Sequence, residues 1–178
     1  MQHPAVQRAA IAAVQVLALG VWFSMSAVVP SLREEWGISA TASVWLTASV
    51  QLGFVTGALT SAVLNLADRI RPHLLLATSA LAGALCTVVL AVAVDGLAGA
   101  VPLRFLTGVC LAGVYPVGMK LMASWATRAG RGLALGILIG ALTLGSMLPH
   151  FIAGLGTLPW RSVLLTALLS LPTAALAN

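Results

Sequence analysis

The chain has 178 residues, of which 60% are hydrophobic and only 7% charged, and its mean hydropathy is +1.05. Soluble domains carry about 25% charged residues, so no water-soluble fold matches this composition. Nine basic residues against four acidic ones give a net charge of +5. These charges are dispersed between apolar runs rather than gathered on one face, which argues against a nucleic-acid partner.

A spanning helix needs roughly 20 mostly apolar residues to cross a hydrocarbon core about 30 Å thick. No water reaches the backbone there, so each span must satisfy its own amides as a helix. Six stretches fit in chain order: 9–32, 41–66, 74–94, 97–125, 132–155 and a shorter one at 162–177. The expected fold class is all-α, a polytopic bundle of six transmembrane helices forming one domain over 1–178. The apolar run of the first span, 24 residues, exceeds the 7–15 or so of a secretory signal, so it reads as a retained span. The sixth span has only 16 residues and reads as truncated.

Glycine and proline punctuate the connections. The expected loops are 33–37, 68–73, Asp95-Gly96, 127–132 and 156–161. With the N-terminus in the cytoplasm, the inner segments hold Arg8, Arg69, Arg71, Arg128 and Arg131, and the outer loops hold only Arg33 and Arg161. The positive-inside rule therefore predicts an N-in, multi-pass protein of the cell (inner) membrane. Trp36, Trp45 and Trp160 fall at the outer boundary and Trp125 at the inner one.

The second span contains Gly53-Phe54-Val55-Thr56-Gly57-Ala58-Leu59-Thr60 and the fifth Gly136-Ile137-Leu138-Ile139-Gly140-Ala141-Leu142-Thr143, identical at five of eight positions. The two spans run oppositely and hold equivalent places if spans one to three repeat as four to six. That pattern fits an inverted 3+3 repeat, with chance identity in an Ala/Leu/Gly-rich alphabet as the alternative. Gly132, Gly136 and Gly140 recur every four residues, a spacing that lets helix backbones touch. Gly145 and Pro149 follow, and Pro149 is expected to kink the span.

Few polar residues lie in mid-span. Serines and threonines such as Ser24, Ser26 and Thr56 are expected to bond their own helix backbone. Gln15 also lies there. Gln51 needs up to four partners, so it either lines a cavity or bonds a neighbouring helix. Cys86 and Cys110 read as small buried hydrophobes. Ser146 and His150 are the only close Ser/His pair. They have no acid beside them, no intramembrane carboxylate pair exists, and no cluster has metal spacing. No enzyme activity, metal or cofactor is expected.

The segment Leu66-Ala67-Asp68-Arg69-Ile70-Arg71-Pro72-His73 resembles the first cytoplasmic signature of the major facilitator superfamily, G-x-L-A-D-R-x-G-R-[KR], with Leu64 and Arg71 in place of its glycines. The resemblance implies that Asp68 and Arg69 form a latch on the cytoplasmic face. A carboxylate at a helix C-terminal end is unfavourable by dipole alone and needs a basic partner or another helix N-terminus. In the fourth span, Arg104, Gly108 and Ala112 resemble the family's R-x-x-x-G-x-x-x-[GA] signature. Arg104 lies about 10 Å deep at 1.5 Å per residue. It faces either a cavity, on one helix face with Gly108, Tyr115 and Met122, or the headgroups by snorkelling. Lys120, nearer the inner end, is expected to snorkel to the cytoplasmic surface. Gly136 and Gly140 match the family's antiporter signature, but Ala141 stands where its proline should be, so antiport is unsupported. The 125–136 connection looks like that of anion-carrying branches, yet no charge between 41 and 66 supplies the arginine of nitrate carriers.

The resemblance implies the N-terminal half of a secondary transporter moving a small solute by alternating access. The substrate and coupling candidates are Arg104, Gln51 and Tyr115, and the helix-packing candidates are Gly53, Gly57, Gly108, Gly136 and Gly140. The implied partners are the lipid bilayer, a small solute of anionic character, and a missing C-terminal half or a second chain. The alternative is a membrane scaffold or half-size subunit that keeps the fold without independent transport.

Overall fold

The computed structural model describes residues 4–155 and 159–166. These residues form only helices, in the order α1 (Pro4–Trp36), α2 (Ala40–Val63), α3 (Leu66–Arg69), α4 (Pro72–Ala93), α5 (Leu97–Leu111), α6 (Tyr115–Ser124), α7 (Arg131–Gly154) and α8 (Trp160–Leu165). Five stretches among them are long and apolar enough to cross a membrane, with Leu97–Ser124 counted as one. Their outward faces remain apolar: Val55, Leu59 and Val63 of α2 and Leu133, Ile139 and Phe151 of α7 are all exposed. Such faces suit lipid or another apolar helix.

Several boundaries differ from expectation. The first span continues through the expected loop to Trp36, and the chain turns only at Gly37, whose φ of 61° lies in the left-handed region. The second span stops at Val63 because Asn65 adopts φ 50°, and Leu66–Arg69 forms its own turn of helix rather than a loop. The fourth span is not continuous. Pro116 has no amide for the Ala112 carbonyl, and Gly113 and Val114 donate instead to Cys110 and Leu111 in tighter i→i−3 turns. The break separates α5 from α6 and rotates the residues beyond it. The third and fifth spans lie within two residues of expectation. Of the sixth, only the start is seen, in α8, and residues 167–177 of the expected span lie outside the described residues.

Close backbone contact dictates the packing. A Cβ on Gly53 would lie 2.0 Å from the Phe105 carbonyl oxygen, and one on Gly57 would lie 2.7 Å from that of Val109, so α2 sits directly on α5. On the other side α1 meets α7 where a Cβ on Gly145 would come within 2.3 Å of the Val16 oxygen. These are the two most extensive helix contacts. Exchanging spans one to three with four to six converts one pair into the other, as an inverted repeat requires. The glycine expectation needs correcting in one respect. A Cβ on Gly136 or Gly140 would meet nothing within 4 Å, so the packing glycine of α7 is Gly145, five residues beyond Gly140. The shared G-x-x-x-G-A-L-T therefore makes contacts in α2 that it does not make in α7.

Ser24, Ser26 and Thr56 donate to carbonyls three or four residues back, as the lack of water demands. At one end of the bundle the Trp160 indole donates to Glu35, Arg161 reaches Asp95 at 2.6 Å and Glu35 at 3.7 Å, and its guanidinium covers the Trp160 ring at 4.4 Å. This cluster joins the end of α1, the α4–α5 turn and α8.

Candidate functional site

Between α1, α2, α6 and α7 lies a cavity of about 410 Å³. Its walls include Trp22, Phe23 and Phe54, with Gln15, Gln51 and Tyr115 as the polar groups. Trp22 and Phe54 meet edge to face at 4.9 Å. The break in the fourth span shapes this site, because it brings Val114 and Tyr115 to the cavity wall at the start of α6. The Gln15 amide fastens the break to α1, donating from Nε2 to the Val114 carbonyl at 3.0 Å. Gln15 also fills the space left by Gly118, where a Cβ would collide with Nε2. Its Oε1 is buried without a hydrogen-bond partner. The wall is thus largely apolar and partly aromatic, with amide and phenol groups and no charged side chain. It suits a flat apolar solute bearing hydrogen-bonding groups.

Gln51 and Tyr115 both reach this cavity, whereas Arg104 does not line it. Arg104 is fully buried against α1. Its Nη2 donates to the Trp22 carbonyl at 2.8 Å, and both terminal nitrogens lie 3.4 Å from the Val21 carbonyl. The guanidinium therefore sits behind Trp22, whose ring faces the cavity, and not at the headgroups. Carbonyl dipoles rather than a carboxylate hold the cation. Gly108 departs from the common face expected with Arg104 and Tyr115: it packs on α2, where a Cβ would lie 2.0 Å from the Val50 oxygen. Met122 is buried in a separate cluster with Ile11, Ala134 and Leu138.

The opposite end carries Asp68 and Arg69, the residues expected to form a latch. Lys120 does not simply snorkel. Its Nζ reaches Asp68 Oδ1 at 2.6 Å and the Ala67 carbonyl at 2.9 Å, tying α3 to α6. Arg69 lies on the same short helix, exposed. The sequence calls for a basic residue or another helix N-terminus beside Asp68 and sends Lys120 to the same cytoplasmic face, but it does not pair the two. It also missed Gln15 as a wall residue, although a glutamine in mid-span is itself a signal of a polar contact. The Ser146/His150 pair forms no dyad: His150 Nδ1 meets the Ser146 backbone oxygen at 3.1 Å, and Ser146 Oγ donates to Thr143.

Comparison with known proteins places this architecture. The family model described as Major Facilitator Superfamily matches residues 11–177. A gallate transporter of Pseudomonas putida is 32% identical over 155 residues, covering 85% of this chain but 33% of the relative. The chain thus spans about a third of that relative's length. Family and relative both point away from an enzyme and to a multi-pass membrane protein. The paired α1–α7 and α2–α5 contacts, the relative's identity and the family match over nearly the whole chain lead to one conclusion: this chain belongs to the Major Facilitator Superfamily.

Proposed function

We propose that the chain forms the N-terminal half of a secondary active transporter and moves a small aromatic acid by alternating access. The observation that carries this reading is the apolar cavity of about 410 Å³ between α1, α2, α6 and α7, with Trp22, Phe23, Phe54 and Tyr115 in its wall. Its Gln15, Gln51 and Tyr115 groups suit ring hydroxyls, and the gallate transporter named above gives an independent reason to choose aromatic acids. Arg104 contributes indirectly. It fixes the α1 backbone behind Trp22 and lends positive potential without contacting the solute. A second six-helix half, or a second copy of this chain, closes the cavity on its open side. The bundle end holding Lys120 and Asp68 faces the cytoplasm of a cell (inner) membrane, and the Arg161 end faces outward, by the basic-residue asymmetry.

Uptake of radiolabelled gallate into proteoliposomes tests this reading. The chain is reconstituted alone and together with the C-terminal six-span half of the Pseudomonas putida relative. Uptake in the mixed vesicles that Tyr115→Phe with Gln51→Leu reduces at low gallate concentration supports a transporter half. Uptake by the chain alone marks a half-size subunit that works with itself. Neither uptake nor gallate binding in either preparation marks the scaffold alternative.

A further inference from the structure

A second cavity of about 440 Å³ lies between α1, α7 and α8, lined in part by Ser26, Ser31, His150 and Trp160. It adjoins the aromatic cavity through Phe23, whose ring belongs to the first and stands 6.4 Å from the His150 ring. Its position is near the Arg161 end: His150 lies four residues before the last residue of α7, about 6 Å along the axis.

The hydrogen bonds around His150 define what this group can do. Nδ1 faces the Ser146 carbonyl at 3.1 Å. A carbonyl only accepts, so Nδ1 carries a hydrogen and, in the neutral ring, Nε2 has a free lone pair. That nitrogen faces Ser26 Oγ at 3.3 Å, while the same hydroxyl donates to the Phe23 carbonyl at 2.8 Å. One rotation of the Ser26 hydroxyl therefore serves both protonation states. Turned to Nε2 it donates to the neutral ring; turned to Phe23 it accepts from the imidazolium. The ring gains or loses a proton without moving.

Apart from Glu34 and Glu35 in the last turn of α1, the spans contain no Asp or Glu among the described residues. Histidine is the side chain that ordinarily changes charge between pH 5 and 8. The charged residues on elements packed against α7 are Arg8, Arg33, Glu34 and Glu35 of α1, Lys120 of α6 and Arg161 of α8. Lys120 pairs with Asp68, and Arg161 with Asp95 and Glu35. The salt bridges among the described residues do not include His150.

We propose that Ser26 and His150 form a carboxylate site, filled when His150 is protonated, which couples binding of an anionic solute to uptake of one proton. The Nε2 lone pair accepts the proton from water at the outer face. The carboxylate then replaces Ser26 Oγ as acceptor of the Nε2–H, the Ser26 hydroxyl turns from Phe23 to donate to it, and proton and anion leave together with no net charge moved. This rests on the transporter reading for its role in the cycle, but the site itself is tested separately.

Sodium benzoate is the probe, titrated by calorimetry into the full chain in nanodiscs at pH 5.5 and pH 8. Carboxylic acids lose their proton near pH 4, so the probe stays ionised and only the protein changes. The expected result is binding about tenfold tighter at pH 5.5, as linkage to a protonated histidine requires. His150→Gln makes binding weak and pH-independent, Ser26→Ala weakens it at pH 5.5, and replacing His3 and His73 together leaves the wild-type pH dependence. Circular dichroism confirms that each variant folds. Equal affinity at both pH values, no binding at either, or pH dependence surviving in His150→Gln overturns the proposal. Quenching of Trp22 by gallate reports the aromatic cavity independently. Quenching without pH-linked benzoate binding removes this site and keeps the transporter reading; pH-linked binding without quenching does the reverse.

Discussion

Gly108 of α5 and Val50 of α2 approach so closely that a Cβ on the glycine would lie 2.0 Å from the valine carbonyl oxygen. Backbone on both sides leaves nothing to yield. Gly108→Val is expected to part the two helices at a cost of about 1–3 kcal/mol or more. Gly140→Val, with open space around it, should be tolerated. Thermal unfolding in nanodiscs compares the two; equal midpoints would mean that α2 and α5 are not in contact.

The Asp68–Lys120 pair is 2.6 Å long, but the two side chains are 74% and 48% exposed. A pair this open is worth at most about 1 kcal/mol. Asp68→Asn should therefore leave the melting temperature almost unchanged, with its main effect on transport rate if the pair opens and closes during the cycle. The reversed pair, Asp68→Lys with Lys120→Asp, should recover more rate than either single change. Failure of the swap to outperform the singles would limit the pair to a passive surface contact.

Arg104 presents two nitrogens to the carbonyls of Val21 and Trp22, and its Nε lacks a partner. Methionine has similar length and no charge to desolvate. Replacing buried ionic groups by apolar ones of like volume is often neutral or stabilising, so Arg104→Met should fold at least as well as Arg104→Lys. Lysine keeps the charge but cannot span both carbonyls with a planar fork. The stability ranking of the two variants checks this. Lysine matching wild type while methionine misfolds would place the cation at the headgroups.

Five of the six expected spans were legible in the sequence because lipid leaves the backbone one solution, and residues such as Arg69, Arg131 and Arg161 lie between them. Gly53 and Gly57 were legible through the repeated G-x-x-x-G segment and Gly108 through its resemblance to the family's fourth-helix signature. The same spacing misled at Gly136 and Gly140, because a pattern of small residues does not say which face meets a neighbour within the bundle. The break at 112–114 carried signals in Gly113 and Pro116, but continuous hydropathy masked them, and the rotation it introduces upset the common face drawn through Arg104, Gly108 and Tyr115. The pairings of Gln15 with Val114 and Ser26 with His150 link residues 99 and 124 positions apart, which one sequence does not reveal.

Cysteine labelling tests the orientation. In a background lacking Cys86 and Cys110, a cysteine at Arg71 or Arg131 should react only from the cytoplasmic side and one at Asp95 only from outside. Reversed labelling would turn the bundle over and place the His150 pocket at the cytoplasmic face.

Gallate quenching of tryptophan fluorescence in the full chain shows whether the cavity beside Trp22 holds the solute. Wild type should quench saturably and Trp22→Phe should lose most of the signal. Tyr115→Phe with Gln51→Leu should bind about thirtyfold more weakly, since each of the two lost hydrogen bonds is worth roughly 1 kcal/mol. Quenching unchanged in Trp22→Phe, or equal affinity in the double variant, would contradict the account.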